Sequence, residues 1–113
     1  MKRLILNFLR YLKRFFIKVD LNDLVQNHEA QIVDVRTELE CSSYGCIKDS
    51  IKIPLDDLRL KMNQLDKERP VIVCCGNGLR SGLAKQILQQ HGFGKVFKAG
   101  SYDSLKRKLR SVA

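Results

Sequence analysis

The segment Pro70-Val71-Ile72-Val73-Cys74 constrains this chain more than any other. A short, continuous apolar run rich in β-branched residues reads as a strand buried on both faces, the kind found at the centre of a parallel sheet. It runs directly into Cys75-Gly76-Asn77-Gly78-Leu79-Arg80-Ser81. A helical pattern then extends to His91 and is stopped by Gly92 and Gly94. Strand, glycine loop and helix in direct succession form the repeating unit of α/β folds, and ligands in such folds bind beyond the carboxyl ends of the strands.

The rest of the chain keeps that alternation. Ile17–Val19 reads as a short strand, with Asp20 capping a helix over Leu21–Asn27. Gln31–Val35 is a buried strand, followed by Thr37 as the N-cap of the next helix. Ser50–Ile53 gives a third strand closed by Pro54, and Leu55–Leu65 an amphipathic helix. Lys95–Lys98 is a last strand and Ser101–Arg110 a last helix. The expected fold is a small, mostly parallel sheet flanked by helices on both faces. At 113 residues the chain is long enough for one core of ordinary size.

The loop after the central strand has the residues that thiol chemistry needs. A thiol attacks as its thiolate, a minor species at neutral pH for an ordinary cysteine. The following helix turns its positive end toward Cys75. Gly76 and Gly78 allow successive N–H groups to curl inward as an anion nest, and Arg80 brings a permanent cation. An inert buried cysteine pair would give no reason for two glycines and an arginine between strand and helix. Cys75 is therefore the expected nucleophile.

Charge is unevenly placed. The net +9 comes from the two ends: residues 1–18 hold six basic side chains and no acid, and Lys106, Arg107, Lys108 and Arg110 lie near the C-terminus. Residues 19–105 carry 11 basic and 12 acidic groups, so the body is nearly neutral. With no Trp and few aromatics on the body, nucleic-acid binding is not expected. Residues 1–16 form a separate basic segment ahead of a domain spanning 17–113. Over 2–16, Leu4, Ile5, Phe8, Leu9, Leu12, Phe15 and Phe16 share one helical face, and Arg3, Asn7, Arg10, Lys13 and Arg14 share the other, with Leu6 as an exception. Packing against the domain or in a homodimer is the favoured reading, and peripheral contact with a membrane the alternative. Four cysteines without a secretory signal point to free thiols in the cytoplasm, with attachment at the inner face of the membrane if the segment binds lipid.

The loop resembles that of rhodanese-like sulfurtransferases, whose Cys-x-x-Gly-x-Arg-Ser pattern is matched by Cys75, Gly78, Arg80 and Ser81. Asp34-Val35-Arg36 and the stretch Gly45 to Pro54 resemble two further family segments, and Gly92-Phe93 through Val96 a third. The likeness covers about residues 17–105, and it is nearest to rhodanese domains fused to flavin-dependent CoA-disulfide reductases. It implies a Cys75 persulfide, loaded by thiosulfate or a small persulfide and unloaded to a thiol or cyanide. On this resemblance the backbone of Gly76, Asn77, Gly78, Leu79 and Ser81 holds the substrate sulfur beside Arg80. Asp34 and Arg36 serve the scaffold, Arg36 in a buried ion pair, and neither metal nor organic cofactor is called for. Cys46 stands where the family has histidine, and Ser50, Ser101 and Leu105 depart from it as well.

Two other readings stay open. Counted from Cys74, the loop is Cys-x5-Arg-Ser, the spacing of cysteine-dependent phosphatases and arsenate reductases, although Val73 replaces the usual histidine. A non-catalytic binding module on the same fold is the other. Cys41 and Cys46 are poorly spaced with Cys74 and Cys75 for zinc, and Cys46 could instead pair with Cys75. His28 and His91 read as a surface and a helix-end residue.

Overall fold

The computed structural model describes residues 2–8 and 19–110. Residues 2–8 are helical (α1) and exposed throughout. The rest of the expected N-terminal helix lies outside the described residues, as does most of the expected strand at Ile17–Val19, of which Val19 is exposed and not in a strand. The domain follows as α2 (Leu21–Asn27), β1 (Gln31–Asp34), α3 (Glu38–Tyr44), β2 (Ile51–Lys52), α4 (Leu58–Lys61), β3 (Val71–Cys75), α5 (Leu79–Gln90), β4 (Val96–Ser101) and α6 (Tyr102–Arg110). The four strands form one parallel sheet in the order β2-β1-β3-β4.

Local chemistry explains most boundaries. Asp20 accepts a hydrogen bond from the Asp23 N–H at the start of α2. Thr37 and Glu40 form a reciprocal capping box on α3. The helix expected over Leu55–Leu65 is broken: α4 is a single turn between 3-10 segments at Leu55–Asp57 and Met62–Gln64. None of the three has a side-chain cap, so the end turns keep the tighter i→i+3 pattern. β4 runs three residues past Lys98, to Ser101, because its pairing with β3 shifts between Val73 and Cys74 and resumes at Gly100. Gly100 has φ +77°, which glycine adopts at little cost.

Helices cover both faces of the sheet. On one, Val33, Val71, Val73 and Cys75 pack with Leu58 of α4 and Ala84 and Leu88 of α5. On the other, Ile32, Ile72 and Cys74 pack with Leu21 of α2 and Tyr102 and Leu105 of α6. β1 and β3 are buried at every position: β3 as its unbroken apolar run requires, and β1 with its two polar residues paired, Gln31 to the Asp66 backbone and Asp34 to Arg36. At the carboxyl end of β1, the buried Asp34 carboxylate accepts two hydrogen bonds from Arg36 Nε, both at 3.0 Å, and one from Nη2 at 2.8 Å. Both side chains are 2% exposed.

Removing Arg36 leaves an uncompensated carboxylate in the interior. Arg36→Met is expected to lower the unfolding free energy by about 3–5 kcal/mol. The double variant Asp34→Leu/Arg36→Met should recover part of that loss, and urea denaturation of both proteins checks the difference.

Candidate active site

The doubled cysteine is resolved by the pleat of β3. Successive side chains of a strand point to opposite faces. Cys74 therefore enters the cluster with α2 and α6, whereas Cys75 enters the one beneath α4 and α5. Burial pushes the Cys74 thiol up to about 12, with the charge of Asp34 acting in the same direction. Cys74 is thus a protonated core residue and faces away from the loop.

Cys75 ends β3 and forms the buried floor of the loop, while Gly76, Asn77 and Leu79 form its exposed rim. Gly78 takes φ +94° as the N-cap of α5, and its N–H donates to Cys75 Sγ at 2.8 Å. The positive φ turns the chain from that amide into α5, and glycine is the residue that tolerates it. The Leu79 N–H is engaged by Asn77 Oδ1 at 3.2 Å, and the buried Ser81 hydroxyl donates to the Gly78 carbonyl at 2.8 Å. Asn77 and Ser81 thereby fix the loop's shape. Cys75 Sγ also lies 3.8 Å from the Gly100 carbonyl, beside the irregularity in β4.

The hydrogen bonds of Arg80 go to Glu40, although the charge of Cys75 also acts on it. Its guanidinium forms a two-pronged pair with Glu40 of α3, Nη1 to Oε1 and Nη2 to Oε2, the latter at 2.7 Å. This pair holds the Glu40 carboxyl down at about 2. It also crosses directly over Gly76, where a Cβ would lie 2.9 Å from Arg80 Nη2 and 3.2 Å from Glu40 Oε2. Glycine at 76 gives the pair room to lie over the loop, since a Cβ would push the tips of both side chains aside, and the loop's cation is paired where sequence reading expected it to be available. Glu40 went unrecognised in the sequence. Its one local signal, the capping spacing from Thr37, is accounted for by helix α3 itself and gives no hint of a partner 40 residues away.

The Asp34–Arg36 pair supports this arrangement from behind. Arg36 Nη2 also donates to the Gly45 carbonyl at 2.7 Å, and its guanidinium lies 3.8 Å from the centroid of the Tyr102 ring. Tyr102 Oη donates to the Tyr44 carbonyl at 2.7 Å. Tyr102 was also missed by sequence reading, because the family's customary aromatic falls at Leu105. The expectation of free thiols fails for two cysteines: Cys41 and Cys46 form a disulfide, so Cys46 is joined to Cys41 and not to Cys75. A cavity of about 280 Å³ opens beyond β1 and β2, lined by Arg36, Cys41, Lys52, Asp57 and Lys61 among others, and Cys75 does not border it. His28 caps the end of α2 beside Asp23, and His91 bonds the Ile87 carbonyl at the end of α5.

Known proteins share this construction. The family model of the rhodanese-like domain matches residues 18–108. A sulfurtransferase of Allochromatium vinosum is 33% identical over 73 residues, spanning 65% of this chain and 67% of its own length. The thiosulfate sulfurtransferase GlpE of Shewanella oneidensis is 34% identical over 85 residues, spanning 73% of this chain and 83% of its own. Among solved structures, reduced Bacillus anthracis CoADR-RHD aligns with a TM-score of 0.67 and 28% identity, covering 82% of this chain and 16% of that one. With the parallel sheet, the cysteine ending its central strand and a family match over most of its length, this chain belongs to the rhodanese-like domain family.

Proposed function

We propose that the protein is a sulfurtransferase that works through a persulfide on Cys75. The observation that carries this reading is the Gly78 N–H donating to Cys75 Sγ at the end of the central strand. An amide held there stabilises a thiolate before attack and a persulfide anion afterwards, without reorganising. In the first half-reaction, Cys75 sulfur attacks the outer sulfur of the donor. The donor's S–S bond breaks, and sulfite or a thiolate departs with the bonding pair. In the second, a thiol acceptor attacks the outer sulfur of the persulfide and Cys75 leaves as thiolate. The backbone at Gly76, Asn77, Gly78 and Leu79, with Ser81 bracing the turn, forms the receptacle for that outer sulfur.

The neutral Arg80–Glu40 pair bears on the choice of donor. Thiosulfate carries two negative charges, and here it would meet backbone dipoles without a net positive side chain. A small organic persulfide needs less compensation, so we assign low-molecular-weight persulfides as the preferred donors. The cysteine-dependent phosphatase reading loses its nucleophile, because Cys74 faces the opposite side of the sheet.

Incubation with glutathione persulfide, followed by mass spectrometry, should show one added sulfur on Cys75. Cys75→Ser should carry none, and Cys74→Ser should load as the parent does. Failure of persulfide and thiosulfate alike to load Cys75 would leave a binding module. Glu40→Gln frees the Arg80 charge and is expected to lower the KM for thiosulfate several-fold relative to that for the persulfide. The same pair sets a pH dependence. Glu40 is depressed from 4.5 to about 2, so the stability it contributes is complete above pH 4.5 and is lost as pH falls toward 2. Urea midpoints of the parent and Glu40→Gln should therefore differ at pH 7 and draw together at the acid end.

A further inference from the structure

We infer that the N-terminal basic segment is a docking surface for an anionic lipid bilayer, which it meets as a helix lying in the membrane plane. Every residue from 2 to 8 is exposed, including Leu4 at 74%, Ile5 at 58% and Phe8 at 60%. These three share one arc of the helix, with Lys2, Arg3 and Asn7 on the opposite arc, where Leu6, exposed at 56%, is the one apolar exception. None of them enters either core cluster, so the expected packing on the domain does not occur over the described part of the helix. The family match begins at residue 18, so the sulfur-transfer fold does not account for this segment.

Charge and apolarity together select the occupant. Residues 1–18 carry six basic side chains and no acid, whereas residues 19–105 are close to neutral. Apposing two copies through this face would bring two strongly positive segments together. An anionic leaflet complements them, and it also offers the apolar interior that Leu4, Ile5 and Phe8 require. Nucleic acid would satisfy the charge and leave the apolar arc in water. In the sequence, the same spacing continues through Leu9, Leu12, Phe15 and Phe16. No helix among the described residues is long and apolar enough to cross a membrane.

The test is co-sedimentation of the full chain with vesicles of phosphatidylcholine containing about a quarter phosphatidylglycerol, against vesicles of phosphatidylcholine alone. The parent should partition at least ten-fold more strongly onto the anionic vesicles. Leu4→Asn/Ile5→Asn/Phe8→Asn should lose that preference while Cys75 still accepts sulfur, which shows that the domain remains folded. Lys2→Gln/Arg3→Gln should weaken binding to a lesser degree, since four of the six charges remain. Three results would overturn the inference. These are no preference for anionic vesicles, equal partition of the parent and the triple asparagine variant, or a parent dimer in sedimentation equilibrium that the triple variant converts to monomer.

Discussion

The buried pair of Asp34 and Arg36 is the interaction on which the rest of the site depends. Two opposite charges this deeply buried are tolerable when nearly every donor and acceptor is used. Here Asp34 takes three side-chain hydrogen bonds from Arg36 and a fourth from the Arg36 backbone at 3.0 Å. The remaining guanidinium surface covers the Tyr102 ring, and Nη2 bonds the Gly45 carbonyl. The pair thus joins the end of β1 to the exit of α3 and the start of α6. Tyr102 closes the circuit through the Tyr44 carbonyl. With its end fixed in this way, α3 presents Glu40 to Arg80 in the loop that holds Cys75. The interior ion pair therefore does no chemistry itself and still sets where the loop's own ion pair can form.

A strand that ends in two cysteines could offer either as a nucleophile, and sequence spacing gives a different answer depending on which one starts the count. The pleat removes the ambiguity. Side chains one residue apart on β3 lie on opposite faces, and the cluster above Cys74 is closed by α2 and α6. Burial and the nearby Asp34 carboxylate keep that thiol protonated. On the other face the chain turns over Cys75 within three residues, because Gly78 can adopt φ +94°. One cysteine consequently belongs to the core beneath α2 and α6 and the other sits under the loop, although the two are adjacent and equally buried.

Much of this was legible in the sequence because its signals are local. The apolar run at Val71–Cys75, the Asp20 and Thr37 caps and the glycine stop after α5 each act within a few residues. These were enough to place the strands and the loop. What sequence reading missed depends mostly on contacts between distant segments: Glu40 with Arg80, and Tyr102 with Arg36 and Tyr44. The pairing of Cys41 with Cys46 is local, five residues apart, and was missed for want of a spacing signal. The helix expected from Leu55 to Leu65 failed for a different reason. Its periodicity is sound, but the stretch divides into 3-10 turns at Leu55–Asp57 and Met62–Gln64 on either side of the one α-helical turn at Leu58–Lys61.

The distribution of charge links the site to the rest of the chain. An arginine in an anion-binding loop would ordinarily draw a doubly charged donor, yet Glu40 cancels Arg80 on the spot. The family match begins at residue 18, and none of the described residues 2–8 forms a hydrogen bond with the loop. Long-range attraction toward anions thus belongs to the terminal segment, and short-range stabilisation at Cys75 belongs to backbone amides. Amide dipoles act over a few ångströms and favour a single buried negative sulfur more than a bulky dianion. On the proposed reading, this division would draw the chain toward a negatively charged surface without filling the site at Cys75 with bulk anions.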